Sequence, residues 1–229
     1  MRNVILTPPA VIALDCDGVI LDSVDVKTQA FAAVAEIFGE GAPERMVEYH
    51  LLHGGVSRQF KFTWLYRELT GQTIPSSELN TLCSKFAEYC HEGVMNAPFI
   101  PGAMDFIQSV SDILPLHVVS GTPEIELRAI FNSRGLSPYF QSLRGTPPEK
   151  TTLLKNLVKD SGLSPEKVLM VGDSATDLEA AKAAGTHFFG IGKNMEGCGW
   201  PVAPNLQGLA ERIGLASDEA PSGATVLHS

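Results

Sequence analysis

The sequence predicts an α/β protein: a doubly wound parallel sheet interrupted after its first strand by an all-helical insertion. Three observations predict it. Short, continuous apolar runs recur at VIALD (11–15), LHVVS (116–120), KVLMV (167–171) and THFFGI (186–191), as strands buried on both faces of a parallel sheet require. Stretches with helical spacing separate the later runs, at 102–112, 123–134, 149–161 and 174–184. From about Ser23 to Pro98 helical spacing stands alone, in VDVKTQAFAAVAEIFG, PERMVEYHLL, SRQFKFTWLYRELTG and SSELNTLCSKFAEYCHEGV.

VIALD ends in an acid, so polar chemistry is expected where the first strand stops. The helical insertion follows, and the sheet pattern resumes beyond it, with a further short strand expected near 142–144. Pro101, Pro123 and Pro148 stand near helix starts, where a missing N–H costs little. The expected organisation is a core from residues 1–23 and 98–215, a helical cap over 24–97 that is able to act as a lid, and a tail at 216–229. No internal repeat is evident.

Composition narrows the function. A chain of 229 residues with 44% hydrophobic and 19% charged residues is long enough for one α/β core plus an accessory unit. The net charge of −9 argues against a nucleic-acid binder, whose affinity depends on clustered Lys and Arg. The four cysteines (Cys16, Cys83, Cys90, Cys198) are scattered and form no C-x-x-C pair. The start has too short an apolar run for a signal segment, and nowhere do about 18 apolar residues follow one another. A cytoplasmic protein with reduced thiols and no membrane span is the expectation, and monomer and homodimer are equally compatible with the sequence.

Ligands of such sheets bind beyond the carboxyl ends of the strands, so polar residues at those ends are the candidates. Strand one ends in Asp15-Cys16-Asp17-Gly18-Val19 and strand two in Ser120-Gly121-Thr122. Lys150 opens a helix after Gly145-Thr146-Pro147-Pro148, and a later strand ends in Gly172-Asp173-Ser174 with Asp177 one turn on. Carboxylates crowded together raise one another's proton affinity unless a cation neutralises them, and Mg2+ favours oxygen ligands and phosphates. One carboxylate, Asp15, is then placed to attack phosphorus and divide a hydrolysis into two easier steps. Asp17 is positioned for proton transfer, and Ser120, the Gly121 amide and Lys150 for holding phosphoryl oxygens.

The ordered elements DCDGV, SGT, Lys150 and GDSATD resemble the four signature motifs of the haloacid dehalogenase superfamily, whose core is Rossmann-like. The resemblance implies Asp15 as nucleophile and Asp17 as the acid/base residue that also offers a backbone carbonyl to the metal. It implies Asp15, Asp17 and Asp173 as the Mg2+ set, Ser120, Thr122 and Lys150 around the phosphate, and Asp177 with Ser174 as accessory groups. Asp17 favours phosphate esters over dehalogenation or phosphonate cleavage. The expected activity is hydrolysis of a small phosphorylated metabolite, such as phosphoglycolate or a sugar phosphate. Gly55-Val56-Ser57-Arg58 is similar to a phosphate-gripping segment of β-phosphoglucomutases, which makes Arg58 a candidate substrate ligand and a sugar-phosphate mutase the alternative. Gly172 stands where those mutases carry an acid, and Lys27 and Gly54 where they carry a histidine and a lysine. A phosphate-responsive binding module without catalysis is a second alternative.

Plainer readings stand beside these. Ser120 or Thr122 is able to serve as an N-cap before Pro123, and Arg58 and Lys150 as surface charges. His50, His53 and His91 match no metal spacing and are expected on the cap surface or in its packing, and Phe60, Phe62, Trp64 and Tyr66 in packing. Cys16, between two acids, is expected to point away from the cleft.

Overall fold

A computed structural model describes residues 8–215. The expected tail at 216–229 lies outside the described residues. Strands β1 (Val11–Leu14), β2 (Leu116–Pro123), β3 (Ser142–Thr146), β4 (Val168–Gly172), β5 (His187–Ile191) and β6 (Val202–Ala203) form one sheet in the order β3-β2-β1-β4-β5-β6. Every neighbouring pair is parallel. The two-residue β6 was not expected, because a pair of residues after Gly-Trp-Pro carries no readable period.

Alternation along the strands divides the core in two. Ile12, Leu14, Val118, Leu169, Val171, Phe189 and Ile191 face one cluster, and Ala13, Val119, Met170 and Phe188 the other. Helices α7 (Lys150–Ser161) and α8 (Ala175–Ala184) cover the second face with Leu153, Leu154, Leu157, Ala180 and Ala181. Helices α5 (Ala103–Ser111), α6 (Glu124–Ser133) and α9 (Leu209–Arg212) cover the first, through residues such as Phe106, Ile107, Leu127, Phe131 and Leu209. Both faces are therefore dry, as a parallel sheet requires.

Four helices lie between β1 and α5: α1 (Val24–Ala35), α2 (Ala42–Leu52), α3 (Arg58–Thr70) and α4 (Ser76–Asn96). Phe31, Phe62 and Phe86 meet at their centre, with ring centroids 4.1 to 6.2 Å apart. The chain enters and leaves this insertion at one place, where the Asp22 N–H donates to the Pro98 carbonyl (2.9 Å) and the Ile100 N–H to the Ile20 carbonyl (3.0 Å). Arg134 on the core reaches across to the Val94, Met95 and Ala97 carbonyls, satisfying the open end of α4. Of the four aromatics on α3, Phe62 is buried and Trp64 stacks on Tyr49 at 3.7 Å. Phe60 departs from the packing expected of it: at 58% exposed it borders a cleft shared with Pro147 and Pro148.

Ser120 and Thr122 cap no helix, because β2 continues through them and Pro123 takes the N-cap position of α6. All four cysteines are free, and Cys16 is buried in the core with its thiol held far above the ordinary range by burial, then by the Asp17 carboxylate. Among the described residues no helix is long and apolar enough to cross a membrane.

Buried His117 on β2 hydrogen-bonds Ser142 on β3 (2.7 Å), and burial, then the Arg144 charge, lower its imidazole to about 4. The unfolded chain, with histidine near 6.5, binds more protons between those limits, so stability falls as pH drops from about 6.5 to about 4. Urea midpoints at about pH 7 and about pH 4.5 are expected to differ less in His117→Gln than in the parent chain. An equal drop in both would assign the acid sensitivity elsewhere.

Candidate active site

The carboxyl ends of β1, β2 and β4 bring the sequence-predicted residues to one edge of the sheet. Asp15, one residue past β1, is buried, and its Oδ1 accepts the Cys16 N–H (2.7 Å) while Oδ2 meets the Lys150 ammonium (2.9 Å). Lys150, the first residue of α7, is also buried and reaches Asp177 Oδ1 at 2.6 Å. It is no surface charge. Asp177 Oδ2 accepts the Ser174 N–H (3.2 Å) and hydroxyl, so this fully buried carboxylate fixes both the lysine and the start of α8. Burial opposes the Lys150 charge, but the Asp15 and Asp177 carboxylates outweigh it and keep the ammonium protonated.

Carboxylate oxygens of Asp15, Asp173 and Asp177 lie within 4.8 Å of one another. Burial pushes the Asp15 carboxyl up to about 7; Lys150 opposes this, and Asp177 and Asp17 add to it. Asp173 is raised well above the carboxylate range, first by burial and next by Asp15 and Asp177. Among the described residues the Asp173 carboxylate has no hydrogen-bond or ion-pair partner. With both Asp177 oxygens engaged, Asp15 and Asp173 form an under-compensated anionic pair, the donor set that suits a hard divalent cation.

The Asp17 side chain turns away from this trio. It forms an ion pair with Lys27 of α1, accepts from Ser23 Oγ (2.6 Å) and from Thr122 Oγ1 (3.1 Å), while Lys27 also donates to Thr122 (2.8 Å). Burial alone would raise the Asp17 carboxyl, but the Lys27 charge and these hydrogen bonds prevail and hold it below the usual range. Ser120 is fully buried, and its Oγ accepts the Thr122 N–H (3.1 Å), tying the end of β2 into a fixed loop.

The insertion lies directly on this edge. Thr176 Oγ1 donates to the Gly54 carbonyl, and the Gly55 carbonyl approaches Gly121 so closely that a Cβ there would stand 2.3 Å away. Arg58 lines the same cavity as Asp15 and Asp17, yet its guanidinium is spent on Glu126 of α6, with Nη1 3.0 Å from Oε1, and lies over the Phe86 ring. Sequence reasoning missed Lys27 as a partner of Asp17, assigned His50 to the cap surface or its packing, and missed Lys61, Glu126 and Thr176 altogether. Lys27 precedes Ala30, Phe31 and Val34 by three, four and seven residues, and Lys61 stands three residues after Arg58 and four before Leu65. Helical spacing alone thus placed both lysines on buried faces. His53 and His91 are exposed, and the His53 ring lies tilted against Tyr49 with centroids 4.2 Å apart.

Gly18 follows Asp15 and Asp17 with φ +80°, and a Cβ on it would fall 2.1 Å from Asp173 Oδ2. Gly18→Ala is therefore expected to displace Asp173 and lower turnover by about 100-fold with the circular dichroism spectrum retained. Activity within about threefold of the parent would show that Asp173 needs no such approach.

This edge can be set beside known proteins. The family model described as haloacid dehalogenase-like hydrolase matches residues 9–185. A phosphoglycolate phosphatase of Shigella sonnei (strain Ss046) is 26% identical over 207 residues, covering 79% of this chain and 80% of that one. Among solved structures, a protein provisionally assigned as a β-phosphoglucomutase from Bacteroides vulgatus superposes with a TM-score of 0.76 at 17% identity, over 91% of this chain and 89% of its own. A haloacid dehalogenase-like family hydrolase from Streptococcus pneumoniae gives 0.70 at 16% identity, over 89% and 97%. With the family model spanning the whole edge from Asp15 to Asp177, the chain belongs to the haloacid dehalogenase-like hydrolases.

Proposed function

We propose that this phosphatase hydrolyses small phosphate monoesters, phosphoglycolate and sugar phosphates being the candidate classes, through an aspartyl-phosphate on Asp15. The observation behind this reading is the partnerless Asp173 carboxylate beside Asp15, with Lys150 as the neighbouring cation. Mg2+ would be held by Asp15, Asp173 and the Asp17 backbone carbonyl, and when bound it would neutralise the carboxylates and draw charge from the phosphoryl oxygens. Asp15 attacks phosphorus as the ester P–O bond breaks, and Lys150, Ser120 and the Gly121 amide hold the phosphoryl oxygens. Asp17 supplies the proton to the leaving oxygen and later removes one from the water that attacks the aspartyl-phosphate. Because Lys27, Ser23 and Thr122 hold Asp17 as a carboxylate, those contacts must exchange when substrate enters. Residues 24–97 act as a cap that excludes bulk water, in a cytoplasmic enzyme.

The mutase alternative meets a steric obstacle. A Cβ on Gly172 would lie 2.2 Å from the Asp177 Cβ, so an acid at that position cannot enter without displacing Asp177 from Lys150.

Phosphate release from a panel of small esters is expected with Mg2+ and lost on chelation. Asp15→Asn is expected to lower kcat at least about 10⁴-fold while acid-quenched labelled phosphoenzyme, trapped in the parent, disappears. Isomerisation of glucose 1-phosphate without net phosphate release would favour the mutase, and metal-dependent turnover in Asp15→Asn would refute the nucleophile.

A further inference from the structure

Between the insertion and Asp15 lies a narrow cavity of about 50 Å³. Lys27, His50, Arg58 and Lys61 line it above the rings of Phe31 and Phe86. Three of the site's four lysine and arginine charges have carboxylate partners. Lys27 pairs with Asp17, Arg58 with Glu126, and Lys150 with Asp15 and Asp177. Lys61 has none among the described residues, although it is only 1% exposed.

The Lys61 ammonium instead lies 2.7 Å from His50 Nδ1 and 5.2 Å from the centre of the Phe31 ring. With Nδ1 accepting from Lys61, the neutral imidazole carries its proton on Nε2, and that atom is buried without a partner. The cavity is thus lined by an ammonium with spare protons and by a histidine whose Nε2 has no acceptor among the described residues. Buried donors of this kind are costly unless something accepts from them.

We propose that Lys61 and His50 form a subsite for a carboxylate on the leaving group, making short phosphorylated carboxylic acids the preferred substrates. The proposal rests on the phosphatase reading above and selects within it. A carboxylate beside Lys61 accepts from its ammonium and supplies a negative charge, whereas a sugar hydroxyl leaves the Lys61 charge uncompensated. The cavity has room for only a few water-sized groups, which suits a two- or three-carbon acid rather than a hexose ring. Burial, together with the Lys27 and Lys150 charges, lowers the Lys61 ammonium to about 7, and an anion beside it restores the charged form.

The test compares 2-phosphoglycolate with ethyl phosphate, which share a two-carbon skeleton and differ in a carboxylate against a methyl group. With Mg2+ present, the parent enzyme is expected to favour phosphoglycolate in kcat/KM by at least about 100-fold. Lys61→Met, matched in length, is expected to bring that ratio to within about threefold of one, chiefly through KM. Glycolate is expected to inhibit the parent competitively where ethanol does not, a measurement that stands even if the variant fails to fold. Comparable turnover of both esters by the parent, or an undiminished preference in Lys61→Met, would overturn the subsite and leave the phosphatase standing. No turnover of any ester in the panel would remove the phosphatase reading and the subsite with it.

Discussion

Three buried charges at the end of the sheet, Asp15, Lys150 and Asp177, organise what surrounds them. Each would cost several kcal/mol to bury alone, and the lysine is tolerated because two carboxylates share it at 2.9 and 2.6 Å. Asp177 is held in turn by the Ser174 N–H and hydroxyl at the start of α8, and Lys150 by its place at the start of α7. The end of β1 thus carries Asp15, and the helices that cover the sheet carry Lys150 and Asp177, which orient it. Asp173 is the residue this arrangement leaves uncompensated.

The insertion adds a second layer of charge. Beside a shared apolar cluster and the Arg134 contacts with the end of α4, three polar contacts tie it to the core near the strand ends: Lys27 to Asp17, Arg58 to Glu126, Gly54 to Thr176. Each joins a helix or loop of the insertion to a residue at or beside the strand ends. These contacts wall off a cavity lined by Lys61, a lysine with no carboxylate partner among the described residues. The cleft beside Phe60, Pro147 and Pro148 lies on the other side of Gly55 and offers mostly apolar surface.

The core strands were legible because a parallel strand buried on both faces is written as an unbroken apolar run, and VIAL and VLMV are such runs. Lys150 and Asp173 were legible because their order along the chain follows the ends of those strands. Arg58 was legible as a residue of importance but not in its partner. Glu126 lies 68 residues away, and no local pattern connects them. Lys61 was passed over because a lysine within a helix is usually a solvated side chain, and His50 was read as cap surface or packing because its spacing matches no metal site.

By itself, the sequence determined the strand and helix periods, the place of the insertion and the order of the acidic, hydroxyl and lysine motifs, all of which are local properties of the chain. Only the tertiary structure decided which charges neutralise one another: that Asp17 faces Lys27, that Asp177 shares Lys150 with Asp15, and that Lys61 faces no carboxylate among the described residues. Coulomb energies and desolvation depend on distance through space and on exclusion of water, and neither exists until the helices have packed over the strand ends.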